Sequence, residues 1–209
     1  MVKGLGLMGH GRTDIQLWGR IEKMLNVIRA RVVEFEKILD QFPDVRYAGD
    51  PVLRQIASPV TTEEGIALGK RLGEVLMRYR KAVGYGRGFA APQIGLSKAV
   101  FVTFVDNELH TFINPKIIKK AGEVNYYREL CLSSGIFAAD VGRPEWIQME
   151  WTDERLQKRS EKVSGFLARL YQHEEAHLRG MINLDQAEPG GIEFLTFDPL
   201  KEQLRQTRK

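Results

Sequence analysis

His173 and His177 stand four residues apart in the stretch Gln172-His173-Glu174-Glu175-Ala176-His177-Leu178. On an α-helix of ~3.6 residues per turn, side chains four apart project within about 40° of one another. The two imidazoles can therefore offer nitrogens to a single ion, with Glu174 beside it as a general base. Such a set would support metal-assisted hydrolysis, in which the ion brings the pKa of a bound water toward neutrality and the carboxylate moves protons. The same spacing also arises on an exposed helix with two solvated histidines, so a third ligand is needed. Cys131, in Glu129-Leu130-Cys131-Leu132-Ser133, can supply it. A thiolate and two imidazoles bind a first-row divalent metal and leave one position open for water. The plainer role for Cys131 is a small buried hydrophobe.

The histidines need a helix, and the flanking residues predict one. Phe166, Leu167, Leu170 and Leu178 supply apolar positions, and Gly180 follows as a stop. Upstream, strand signals dominate: a buried run from Ala99 to Val105, shorter ones at Phe112-Ile113 and Lys116 to Lys120, and alternation at Ile147, Met149 and Trp151 before a turn at Thr152-Asp153-Glu154. Strands followed by a buried helix imply an α+β domain, with antiparallel sheets around a central histidine-bearing helix. Before it, Thr61-Thr62-Glu63-Glu64 caps a helix carrying Leu68, Leu72, Val75, Leu76 and Tyr79, which Gly84 ends. The glycine-rich segment from Gly84 to Gly95 is not a phosphate loop, because it follows a helix and leads into Pro92. Glycine there suits backbone lying close to a ligand.

Residues 13–41 read as one long amphipathic helix. Thr13-Asp14-Ile15-Gln16 has the form of a cap, and Ile15, Trp18, Ile21, Leu25, Ile28, Val32, Phe35 and Leu39 recur at three- and four-residue steps. The expected cover for this stripe is the chain's own domain. Three segments follow: a helical extension over residues 1–44, a catalytic domain over 45–190, and a basic tail over 191–209.

Composition bounds the rest. The chain has 209 residues, enough for one core, with 43% hydrophobic and 28% charged residues, as in a soluble globular protein. No apolar run reaches membrane-spanning length. A net charge of +4 does not imply nucleic acid, although Lys201, Arg205, Arg208 and Lys209 concentrate charge near the end. One cysteine excludes an internal disulfide and fits a reducing cytosol. Asp14, Arg20, Glu22 and Lys23 interrupt any secretory signal, so the cytoplasm is the expected location.

Three segments in this order, Gly86-x-Gly88-x-Ala90-Ala91-Pro92-Gln93, Glu129-Leu130-Cys131-Leu132-Ser133 and Gln172-His173-Glu174-x-x-His177, resemble the signature motifs of the peptide deformylase family. The resemblance spans roughly residues 45–187 and includes Asp50-Pro51-x-Leu53-Arg54 and Val141-Gly142-Arg143-Pro144. It implies a hydrolase that removes the formyl group from the formyl-methionine of nascent polypeptides. By the same resemblance, Cys131, His173 and His177 would hold iron(II), with zinc, nickel or cobalt able to take its place. Glu174 would be the acid/base, and Gln93 with the backbone N–H of Leu132 would bind the oxyanion. Gly86, Arg87, Gly88 and Leu130 would border the bound peptide. The basic tail could reach the ribosome.

The sequence departs from the family at several of these places. Leu130 stands where the family has glycine, and Ala176 where it commonly has aspartate. Arg87 and Arg169 occupy positions that are usually aliphatic, Arg169 at the pocket for the methionine side chain. Both arginines could instead point outward. Glu129 is an internal partner for Arg169, and the alternative is a polar side chain of the substrate, which would alter specificity. Two further functions are weighed. A metallopeptidase would take a later ligand, for which Glu188 and Glu193 are available but no histidine. A binding protein without turnover would have lost Glu174 or Gln93, and both are present.

Overall fold

The structure, a computed structural model, describes residues 11–195 and 206–208. Its centre is an antiparallel sheet. Strands β1 (Gly88–Ala90), β2 (Val100–Val105), β3 (Glu108–Leu130), β4 (Phe137–Thr152) and β5 (Lys158–Ser164) follow one another in space as in sequence. Strand β6 (Ala187–Phe194) pairs with β4, and β7 (Gln206–Arg208) pairs with β3. The expected α+β class is what the chain adopts. The expected boundary at residue 190 falls inside β6.

Two helices enclose the first strands. Helix α2 (Thr62–Val83) starts where Thr61 accepts a hydrogen bond from the Glu64 N–H at 3.2 Å, and it ends at Gly84 in the left-handed region. Gly65, Gly69 and Gly73 form a ridge without side chains. A Cβ at any of them would run into Ile113, Thr111 or Leu109 of β3, so the helix approaches that strand closely. Leu68, Leu72 and Leu76 pack with Val100 and Val102 on one face of β2. Helix α3 (Gly165–Leu178) lies on the other face, where Phe101 and Phe112 stack at 4.4 Å and meet Ala168 and Leu178. With both faces covered, β2 reads in sequence as an unbroken apolar run.

Strand β3 joins what the sequence shows as separate pieces. Its pairing with β4 shifts register between Ile113 and Lys116, between Ile117 and Lys119, and between Ala121 and Val124. Each irregularity resets the alternation that would mark one strand.

Helix α1 (Gly11–Gln41) corrects two expectations. It already runs through Thr13, so Thr13-Asp14-Ile15-Gln16 lies within it and does not cap it. Nor is its apolar stripe buried on the domain. Only its last turns dock: the Phe35 ring meets Tyr47 edge-on at 5.0 Å, Ile38 packs on the core, and Phe42 is buried just beyond. Farther out, Leu17, Met24, Leu25 and Val33 face solvent, and Trp18 is 67% exposed. Among the described residues, no helix is long and apolar enough to cross a membrane.

Candidate metal centre

Cys131 follows the last residue of β3, and His173 and His177 occupy successive turns of α3, which packs against strands β1 to β5. The pairing of β3 with β4 therefore carries the thiol to the helix. Cys131 Sγ lies 3.3 Å from His177 Nε2, and one donor atom from each of Cys131, His173 and His177 falls within 4.8 Å of the others. Burial alone would push the Cys131 thiol up, but His177 and His173 hold it well below its usual range, as a thiolate. One soft anion and two imidazoles converging in a buried position fit a divalent metal ion.

Glu129, two residues before the cysteine, orients the first histidine. His173 Nδ1 donates to Glu129 Oε2 at 2.9 Å, which leaves Nε2 to face the centre. Arg143 donates to both carboxylate oxygens, at 2.6 and 2.7 Å, and Arg169 Nη1 donates to Oε1 at 2.6 Å. Burial would raise the Glu129 carboxyl, yet Arg143 and His173 carry it well below the ordinary carboxylate range. Asn183 fixes the backbone by donating to the Glu129 carbonyl at 3.1 Å.

Glu174 is buried, and its Oε2 has no hydrogen-bond partner. Burial raises its carboxyl to about 7, against the opposing pull of His173 and His177. Its other oxygen lies against the backbone of Gly88, where a Cβ would overlap the carboxylate. Gln93 is held at both ends. Its Oε1 accepts from the Ala90 N–H at 2.9 Å, and its Nε2 donates to Ser133 Oγ at 3.2 Å and toward Cys131 Sγ at 3.7 Å.

These groups share a cleft of about 1120 Å³. Gly86, Arg87, Gly88, Gln93, Leu130, Cys131, Leu132, Arg169, His173 and Glu174 all line it, while His177 is buried behind. Arg169 is buried, whereas Arg87 is exposed at the edge of the cleft. Arg87 lies over the Phe166 ring at 5.0 Å. Arg169 packs its guanidinium over Tyr127 at 4.8 Å and donates to the carbonyls of Val141 (3.1 Å) and Asn125. Of the two partners expected for Arg169, the internal one, Glu129, is engaged. Sequence reasoning gave Arg143, Ser133 and Asn183 no role. Arg143 sits in the noted Val141-Gly142-Arg143-Pro144 segment, but its partner is 14 residues away on the neighbouring strand.

A family model described as polypeptide deformylase matches residues 43–191. The peptide deformylase of Thermotoga neapolitana is 35% identical over 147 residues, covering 69% of this chain and 87% of that protein. That of Treponema pallidum is 32% identical over 145 residues, covering 69% and 88%. Among solved structures, the peptide deformylase of Thermotoga maritima superposes with a TM-score of 0.63 at 35% identity, covering 69% of this chain and 97% of the other. The Synechococcus elongatus enzyme in complex with actinonin gives 0.62 at 34%, covering 69% and 78%. From residue 43 to residue 191, then, sequence and architecture agree, and the chain belongs to the polypeptide deformylase family.

Proposed function

We propose that Cys131, His173 and His177 hold one divalent ion and that Glu174 moves the protons while this chain, a deformylase, hydrolyses the formamide at a formylated N-terminus. The observation that carries the assignment of roles is the buried Glu174 carboxyl beside the three converging donors. A thiolate next to two imidazoles suits iron(II), with zinc, nickel or cobalt able to use the same donors. When bound, the ion supplies Lewis acidity that makes hydroxide available near neutral pH.

The remaining steps belong to the protein. A carboxyl raised to about 7 can take a proton from the attacking water and return it to the leaving amine. Gln93 Nε2 and the Leu132 N–H are the donors for charge developing on the formyl oxygen, and losing one such donor typically costs ~10²–10³ in rate. Gly86, Gly88 and Leu130 border the peptide, with Arg87 and Arg169 at the side-chain pocket. Glu129 keeps His173 in the tautomer a ligand needs.

The substrate is the formylated nascent peptide, with formyl-methionine as the first residue to test. Residues 45–190 are the catalytic unit, a division supported by the family match. The lysines and arginines near the C-terminus offer contacts to ribosomal RNA. A single thiolate ligand suits a reducing compartment such as the cytoplasm. The decisive experiment uses protein purified without oxygen, assayed for metal content and turnover of formyl-Met-Ala-Ser. Cys131→Ser is expected to lose stable metal. Glu174→Ala should keep the metal and lose nearly all turnover. Full metal content in the first variant refutes Cys131 as a ligand, and a near wild-type rate in the second refutes Glu174 as the acid/base.

A further inference from the structure

We propose that Arg169 makes the pocket beside the metal centre selective for a first side chain carrying a hydrogen-bond acceptor, a reading that rests on the formamide chemistry above. Arg169 lies one helical turn, ~5.4 Å, before His173 on α3 and is joined to it through Glu129. The side chain of the first residue begins two bonds from the nitrogen that loses the formyl group. A chain the length of methionine or glutamine spans about one helical turn, so it reaches the wall that Arg169 forms.

That wall has unspent hydrogen-bonding capacity. A guanidinium has five N–H donors and a carboxylate has about four acceptor positions. Glu129 receives two hydrogen bonds from Arg143, one from Arg169 and one from His173, so its acceptor positions are filled. Arg169 places three N–H groups on Glu129, Val141 and Asn125, leaving two without an acceptor. Two guanidinium cations thus share one carboxylate. Arg169 is only 8% exposed, yet its unpaired Nε keeps contact with the solvent of the cleft, which a bound side chain would displace, and Arg87 over Phe166 adds a second cation there. A hydrocarbon chain laid on this wall strands the donors, whereas an amide or carboxylate oxygen satisfies them. Methionine, with its weakly accepting sulfur, falls between the two.

The test compares kcat/KM for formyl-Gln-Ala-Ser, formyl-Met-Ala-Ser and formyl-norleucine-Ala-Ser, with formyl-Gly-Ala-Ser as a reference without a side chain. In the wild-type enzyme the glutamine peptide is expected to exceed the norleucine peptide by about tenfold, the scale of a hydrogen bond to a charged group. Arg169→Leu should collapse or invert that ratio, and Arg169→Lys should retain part of it. Using the ratio within each variant removes any loss common to all substrates. If Arg169→Leu fails to fold, the wild-type ratio and Arg169→Lys decide. Titration calorimetry of Gln-Ala-Ser and norleucine-Ala-Ser on zinc-loaded protein should give the same order. A wild-type ratio near unity, or one unmoved by Arg169→Leu, overturns the inference alone. Failure to hydrolyse any peptide, formyl-Gly-Ala-Ser included, overturns the formamide reading with it.

Discussion

Glu174 and Gly88 are 86 positions apart in sequence and in contact across the cleft, so a methyl group on one displaces the carboxylate of the other. This gives glycine at position 88 a steric reason that goes beyond backbone freedom. Gly88→Ala is expected to leave metal content intact, because the three atoms nearest that Cβ all belong to Glu174 and not to Cys131, His173 or His177, and to cut turnover by ~10²-fold or more, the usual cost of misplacing a reacting group by about 1 Å. Metal analysis beside a formyl-peptide assay checks both halves. Loss of metal would mean that Gly88 supports the ligands as well. Unchanged turnover would mean that Glu174 has room to adjust.

At the scale of elements, the root of α1 offers a cleaner measurement than its exposed length. Tyr47, which receives the Phe35 ring, has a buried Oη without a hydrogen-bond partner, and burial raises its pKa from 10.0 to about 12. Tyr47→Phe should therefore stabilise the protein by about 1 kcal/mol at neutral pH. The pH dependence follows from the direction of the shift. In the folded protein the phenol stays protonated beyond the pH at which the unfolded chain releases its proton. Its contribution is whole below pH 10 and disappears as pH rises through about 12. Urea denaturation between pH 9 and 11.5 should show a shallower fall for the variant, and parallel curves would contradict this. The elements themselves were legible in uneven measure. The Thr61 cap, the Gly84 stop and the apolar run of β2 carry local signals, and they appear where those signals put them. Strand β3 was not legible as one strand, because its register shifts break the alternation. The three residues whose donor atoms converge, Cys131, His173 and His177, could be named from motif chemistry. Arg143 could not be given its role, because only the pairing of β3 with β4 puts it against Glu129.

For the whole molecule, the family match ends near residue 191, yet the described chain returns to the sheet as β7, which pairs with Tyr126 and Tyr127 of β3. The basic segment is thus not wholly a free tail, and most of it, residues 196–205, lies outside the described residues. Deleting residues 201–209 would remove β7 together with the charge. Lys201→Gln with Arg205→Gln separates the two. If the tail contacts ribosomal RNA, this double variant should co-sediment less with ribosomes at low salt, and the difference should shrink as salt rises. Equal co-sedimentation at low salt would rule that contact out. The exposed length of α1 stands before residue 43, where the family match begins.

The full hydrogen bonding of Glu129 also sets which substitutions around it leave a charge unpaired. Without Arg169, the carboxylate still answers to Arg143 and His173, so position 169 can change by itself. Without Glu129, two guanidinium groups lose their shared counter-charge, a loss on the order of 3–5 kcal/mol for a broken buried pair. Replacing Glu129 is therefore expected to cost more than replacing Arg169, because Glu129 serves Arg143, Arg169 and His173 at once. A change at position 169 would thus alter the wall of the cleft while the Glu129 pairs that orient the first histidine stay in place.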